Sequence, residues 1–240
     1  MFSTIKLVFV YVTLGTVAGV IGIPCSLVIG NVERLYRIVM GILRAGIRAA
    51  GIRVEATGQE HIPAGVSCIF LPNHVSNLDP PITIPLIPRR TSVMVKKELF
   101  RVPILGRAMR IGSLVPVDRG NRDAGIESVR YAKQVVQQGI NMTVYMEGHR
   151  SFDGKLLPFK KGPFYLAMEC AVPVVPVTIA GTHYLMPKGR FGIKPGVATV
   201  IFHPPIEPSD FGSRECLMEK VRLVIESGLP EEYRTGSASA

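Results

Sequence analysis

From Gly51 onward, short apolar runs alternate with longer amphipathic ones, and this alternation restricts the fold more than any other feature of the chain. Runs at 53–56, 66–70, 92–95, 113–117, 142–145, 174–179 and 198–202 read as strands. Helical patterns fall at 82–86, 104–110, 123–138, 163–169 and 209–226. The third is the clearest: Asp123 suits an N-cap, Ile126, Val129, Val135 and Val136 form a 3.6-residue stripe, and Gly139 stops it. Strands that alternate with helices make an α/β fold, here a mixed, mostly parallel sheet covered by helices. Continuous apolar strands such as VVPVTIA suit buried positions. Pro173 and Pro176 interrupt that strand, which predicts an edge or bulged position for it. The tail TGSASA reads as frayed.

A different region precedes this one. No charged residue occurs from Leu7 to Gly30, a run long enough to cross a ~30 Å hydrocarbon core. It reads as a spanning helix, as a hairpin dipping into one leaflet (Gly15, Gly19, Gly22 and Pro24 allow a bend), or as a cleaved signal peptide. In the helix that follows, Arg34, Arg37, Arg44 and Arg48 share an arc of about 80° at 100° per residue. That stripe is either the solvated side of a core helix or, the reading favoured here, an interfacial face touching lipid phosphates. Residues 1–50 thus read as an N-terminal membrane-associated helical segment and 51–240 as a separate domain. If the first run spans, the arginines put that domain on the cytoplasmic side.

Composition narrows the partners. Charged residues are 19% of the chain, mean hydropathy is +0.29 and net charge is +10. Low charge content suits membrane association, and the basic excess suits anionic lipid or a phosphorylated substrate. Nucleic acid fits less well, since no RNP-like aromatic motif and no Trp are present. Cys25, Cys68, Cys170 and Cys216 are isolated, and all four read as small buried hydrophobes in a reducing compartment. His61, His183 and His203 lack metal-ligand spacing, and no glycine-rich phosphate loop exists.

The stretch LPNHVSNLDPP places His74 and Asp79 five positions apart, directly after a strand. On a continuous helix the two would point about 140° apart. Ser76 and Asn77 favour an N-cap, and Pro80 and Pro81 are tolerated only near a helix start. The segment therefore reads as strand, turn and helix start, with the backbone bent so that histidine and carboxylate face one another. A histidine held by a carboxylate is the arrangement a general base needs.

Three more stations lie at strands: GSLVPVDRG (112–120), YMEGHRSFDGKLLPFKKG (145–162) and AVPVVPVTIAG (171–181). In α/β sheets function gathers at strand ends. Arg119 and Arg150 both follow strands, where they can converge on one phosphate as bidentate donors. Lys96, Lys97, Lys160 and Lys161 add positive charge. The alternative is that Asp118–Arg119 and Glu147–Arg150 are local surface ion pairs.

In order and spacing, these four blocks resemble the glycerolipid acyltransferases, the 1-acylglycerol-3-phosphate O-acyltransferases. That family carries an NHxxxxD block, a glycine-apolar-D/P-R block, an EGTR block and an apolar V-P-x-x-P block. The resemblance covers about Arg53 to Ile206, with further echoes in KKELFRVPILGRAMR and LPFKKG. One departure is EGHR, with His149 where the family has Thr. The resemblance implies transfer of a fatty acyl group from an acyl-CoA or acyl-ACP thioester to the hydroxyl of 1-acylglycerol 3-phosphate, giving phosphatidic acid. It implies catalysis by His74 and Asp79, and acceptor binding by Gly112, Arg119, Glu147, Gly148 and Arg150. It associates the Pro173 block with the acyl donor. No metal or organic cofactor is called for, and with no G-x-S-x-G elbow direct transfer is expected. Other acceptors fit the same chemistry: a lyso-aminolipid, another lysophospholipid or glycerol 3-phosphate. A non-catalytic membrane adaptor is a different reading, against which the His74–Asp79 pair speaks. The short chain suggests a bacterial inner membrane. The loop PKGRFGIKPG (187–196) is basic and rich in turns, suited to touching lipid heads or to solubility alone.

Overall fold

The computed structural model describes residues 1–118 and 122–234. Arg119 and the tail at 235–240, both singled out from sequence, lie outside the described residues.

The chain begins with helix α1 (Phe2–Val17), which passes through a π-helical turn (Ala18–Gly22) into α2 (Ile23–Ile29). The run of glycines and Pro24 is therefore absorbed in one continuous helix, with no bend at the positions that one of the readings allowed. The reversal comes later, at Gly30 and Asn31. Asn31 accepts the Arg34 N–H at 2.8 Å and so caps α3 (Val32–Ala49). Helix α3 returns along α1. The Tyr11 hydroxyl donates to the Leu43 carbonyl at 3.3 Å, and a Cβ on Gly46 would run into the Tyr11 ring.

Then come β1 (Ile52–Thr57), β2 (Ile69–Pro72), α4 (Asp79–Thr83), β3 (Thr91–Lys96), α5 (Leu105–Ile111), β4 (Val115–Val117), α6 (Arg122–Gln137) and β5 (Asn141–Thr143). The chain closes with α7 (Gly162–Cys170), β6 (Val174–Ala180), α8 (Thr182–Leu185), β7 (Gly196–Phe202) and α9 (Arg214–Gly228). All seven expected strands are present. The helix expected at 209–226 is split: a 3-10 turn at Pro208–Asp210 ends, and Ser213 starts α9 afresh by accepting the Cys216 N–H.

The sheet order is β1-β7-β6-β2-β5-β3-β4, with every neighbouring pair parallel except β6 and β7. Side chains alternate across it. Phe70, Val175, Val177 and Tyr145 enter a core shared with α3 and α4, while Ile69, Leu71, Val144 and Met146 meet α6, α7 and α9 on the other face. Met40 and Ile47 of α3 belong to the first of these cores, so packing runs across the boundary drawn at residue 50.

Two expectations fail. Strand β6 is neither edge nor bulged; it lies between β7 and β2. Its Pro176 carbonyl accepts the His203 N–H at 3.0 Å. The N and C=O of one strand residue point the same way, so the missing N–H faces β7 just beyond its end at Phe202. No bond to β2 is lost. Among the cysteines, Cys68 is buried and Cys170 partly so, but Cys25 and Cys216 are exposed, on outer turns of α2 and α9.

Candidate active site

Strands β2, β3, β4, β5 and β6 are mutually parallel, so the loops leaving their C-terminal ends emerge at one edge of the sheet. His74 and Asp79 follow β2, Glu147 to Arg150 follow β5, Thr182 follows β6 and Asp118 follows β4. That edge is where α/β sheets collect ligands.

The backbone bend expected between His74 and Asp79 is present. His74 Nδ1 lies 2.8 Å from Asp79 Oδ2, and the same oxygen accepts the N–H groups of Val75 and Ser76, each at 2.8 Å. Asp79 starts α4, and Pro80 and Pro81 sit in its first turn, where a missing N–H costs no helical bond. Asp79 is fully buried and His74 is 8% exposed. A carboxylate is acceptor-only, so Nδ1 carries the proton and Nε2 keeps a free lone pair. The Tyr145 ring tilts over the imidazole with centroids 4.4 Å apart. Burial, and then the Asp79 charge, push the Tyr145 phenol well above its usual range, and its ring walls one side of the imidazole.

Glu147 behaves differently from the expectation. It is fully buried, with Oε1 accepting the His74 N–H at 2.8 Å and Oε2 the Leu157 N–H at 3.0 Å. Burial raises its carboxyl to about 7 against the lowering effect of those two bonds. The side chain pins the β5 loop to the backbone of His74, and the Ser151 N–H completes the clasp by donating to the His74 carbonyl at 3.0 Å. Both carboxylate oxygens are thus taken by backbone N–H groups, and the expected alternative of a Glu147–Arg150 surface pair is absent. Gly148 turns the chain at φ +75°, a conformation that favours glycine. His149 Nδ1 lies 3.1 Å from the Glu147 carbonyl, which makes it the protonated nitrogen of that ring.

Arg150 is partly buried next to this clasp and makes no ion pair among the described residues. Of the lysines, Lys97 pairs with Asp118, Lys161 with Glu215 at 3.2 Å and Lys96 with Glu98 at 3.7 Å. Lys96 ends β3, two strands from β2 and so about 10 Å across the sheet. Lys160 is exposed, its side chain lying over Gly148.

Gly112 and Pro173 are not brought to this edge. Both precede their strands. Gly112 closes α5 beside Ser113, whose carbonyl takes the Ser92 hydroxyl at the start of β3. The Pro173 carbonyl accepts the Ile69 N–H at the start of β2. In a parallel sheet such positions lie at the opposite edge from His74.

Sequence reasoning missed two polar residues. Thr182 donates its hydroxyl to Asp79 Oδ1 at 2.6 Å. The Asn73 side chain both accepts from and donates to the backbone of Ile179, at 2.7 and 3.0 Å. Thus Asn73 moors the loop to β6, and Thr182 fills the second carboxylate oxygen. Thr182 is the first short polar residue after β6, so the strand-end rule that selected the other stations also selects it.

An acyltransferase family model matches residues 53–180. The chain is similar to a 1-acyl-sn-glycerol-3-phosphate acyltransferase of Limnanthes alba, 36% identical over 162 residues, which are 67% of this chain and 57% of that protein. It is 31% identical to one of Cocos nucifera over 203 residues, 83% of this chain and 65% of that protein. It therefore spans less than two thirds of the length of these relatives. The crystal structure of the 1-acyl-sn-glycerophosphate (LPA) acyltransferase PlsC from Thermotoga maritima superposes with a TM-score of 0.83 at 29% identity, covering 94% of this chain and 92% of that one. With more than half of its length matched, and with histidine and carboxylate joined at the edge where its strands end, the chain belongs to the acyltransferase family.

Proposed function

We propose that this chain transfers a fatty acyl group from an acyl-CoA or acyl-ACP thioester to the free hydroxyl of 1-acylglycerol 3-phosphate, giving phosphatidic acid. The observation that carries the reading is the 2.8 Å contact between His74 Nδ1 and Asp79 Oδ2, which leaves Nε2 as a base at the strand edge. An alcohol attacks a thioester slowly at neutral pH unless its proton is removed as the new bond forms, and a positioned base supplies about 10²–10⁴-fold. Nε2 takes the hydroxyl proton while the acceptor oxygen bonds to the carbonyl carbon. Asp79 holds the tautomer and stabilises the imidazolium. The C–S bond then breaks, and the imidazolium returns its proton to the thiolate. No enzyme nucleophile is consumed.

Arg150, free of an acidic partner among the described residues, serves the acceptor phosphate, with Arg119 expected to join it. The Glu147 clasp fixes the distance between base and arginine.

A membrane location suits an acceptor with one acyl chain. From Phe2 to Cys25 the helix is long and apolar enough to cross a bilayer, and little of it is buried against protein. From Leu7 onward it carries no charge on any side, as suits a helix in lipid. Yet it touches the α/β domain both at Thr4, bonded to Phe191 and Ile193, and at Gly19, against Ile104. Those points are roughly 22 Å apart at 1.5 Å per residue. A spanning helix would draw both loops and the domain between them through most of the hydrocarbon, where non-helical backbone finds no partners, which favours a helix lying within one leaflet over a spanning one. The arginine stripe of α3 is exposed, with Arg44 anchored to the Pro85 carbonyl. A cytoplasmic orientation follows from the thioester donors.

The test is direct. The purified full chain is given radiolabelled acyl-CoA and a panel of acceptors, with His74→Ala beside it. Formation of phosphatidic acid by the wild type alone is expected. A different preferred acceptor would move the reading to that lysolipid, and equal inactivity on every acceptor would remove it.

A further inference from the structure

Elements distant in sequence meet along α1. Thr4 Oγ1 accepts the Ile193 N–H at 2.9 Å and donates to the Phe191 carbonyl at 3.3 Å. Farther along, a Cβ on Gly19 would collide with Ile104. Two loops are therefore tied to the same helix, and both turn apolar side chains outward. Phe191 is 83% exposed beside the start of α1, where Phe2 is 79% exposed, and Val102, Ile104 and Leu105 are 43–44% exposed at the other contact. Ile104 holds φ at 63°, a strained value for a β-branched residue.

The loop at 187–195 adds charge to this face. Arg190 and Lys194 flank Phe191, are exposed, and have no acidic partner among the described residues. Lys188 turns inward instead. Its Nζ donates to the Arg150 carbonyl at 2.7 Å and lies 3.7 Å from the Phe152 ring centre. An exposed aromatic between free cations, level with an uncovered apolar helix, matches an anionic lipid interface: ring at the acyl boundary, cations at the phosphates. An acidic protein would account for the cations but leave α1 bare.

We infer that the loop at 187–195 is a membrane-inserting element, with Phe191 entering the interface and Arg190 and Lys194 meeting anionic headgroups. The inference rests on the membrane location argued above and adds a second anchor to it. It also ties the membrane to the site. Lys188 holds the Arg150 backbone, and the Met186 carbonyl accepts the Ser76 hydroxyl at 2.8 Å. Seating the tip therefore sets Arg150 and the His74 loop at headgroup depth, where a lysolipid phosphate lies.

The chain has no tryptophan, so Phe191→Trp introduces a single tryptophan into the full chain, whose emission is read apart from the tyrosines by exciting at the red edge of indole absorption. Leu223→Trp, at an exposed position on α9, is the control. In vesicles of phosphatidylcholine and phosphatidylglycerol with bromine on the upper acyl carbons, emission at 191 is expected to be quenched and shifted to shorter wavelength, and that at 223 to be neither. Equal behaviour of the two overturns the proposal. Phe191→Asp is expected to lower activity on vesicle-borne lysophosphatidic acid about tenfold, the factor set by losing one buried aromatic. Activity on a short-chain, monomeric analogue should be unchanged. Equal loss on both acceptors, or no loss on either, overturns the proposal. Quenching requires no turnover. A quenched tip in an inactive wild type would leave the anchor standing and remove the acyltransferase reading alone.

Discussion

The Thr182 hydroxyl donates to Asp79 Oδ1 at 2.6 Å, and through it the end of β6 holds the carboxylate that holds His74. Asp79 is fully buried. Losing this donor leaves one of its oxygens buried and unpaired, a cost of about 1–3 kcal/mol.

Thr182 touches the base only through Asp79, so it is a positioning residue. Thr182→Val is expected to lower kcat about 10–100-fold, roughly the factor that a loss of about 1–3 kcal/mol at Asp79 is worth. KM for both substrates should stay nearly unchanged. Thr182→Ser should restore most of kcat. Steady-state kinetics on the three proteins decides the matter, and a loss confined to KM would contradict the assignment.

Glu147 makes stability depend on pH in a particular direction. Its folded pKa is raised by burial, from 4.5 to about 7. The folded state therefore binds the proton more tightly than the unfolded chain does. Its contribution is fully present below about pH 4.5 and is lost as pH rises through about 7. Glu147→Gln cannot titrate. The stability of wild type minus variant should decline across that window by at most roughly 3 kcal/mol. Denaturant unfolding at a series of pH values measures it, and a flat difference would show that the carboxyl is not raised.

Arg150 has an open guanidinium beside the clasp. Arg150→Ala should raise the KM for lysophosphatidic acid about 10–100-fold, as expected for losing a charge-assisted bidentate contact. The KM for acyl-CoA should stay constant. Arg150→Lys should recover only part of the loss, since an ammonium lacks the planar fork. Saturation curves for each substrate read this out, and an unchanged acceptor KM would give the phosphate to other residues.

The contrast between Glu147 and Arg150 shows where sequence reasoning stops. Both stand in one EGHR turn, and charge alone marks each as a ligand. Only coordinates reveal that the Glu147 oxygens are spent on the N–H groups of His74 and Leu157, while Arg150 is left open. Gly112 and Pro173 carry a related lesson. Each stands in a recognisable block but ahead of its strand, and chain direction in a parallel sheet sends it to the far edge. That much was available from the expected parallel topology.

Periodicity and punctuation within the chain determined the strands, the helices from Gly51 onward and the bend that turns His74 toward Asp79, because each depends on neighbours a few residues away. The tertiary structure alone decided that Thr182, 103 positions from Asp79, supplies its second donor. It likewise decided that Pro176 lies inside the sheet and that α1 runs beside both Phe191 and Ile104. Those outcomes depend on which strands become neighbours, a choice made by burying both sheet faces at once, and no local pattern along the chain carries it.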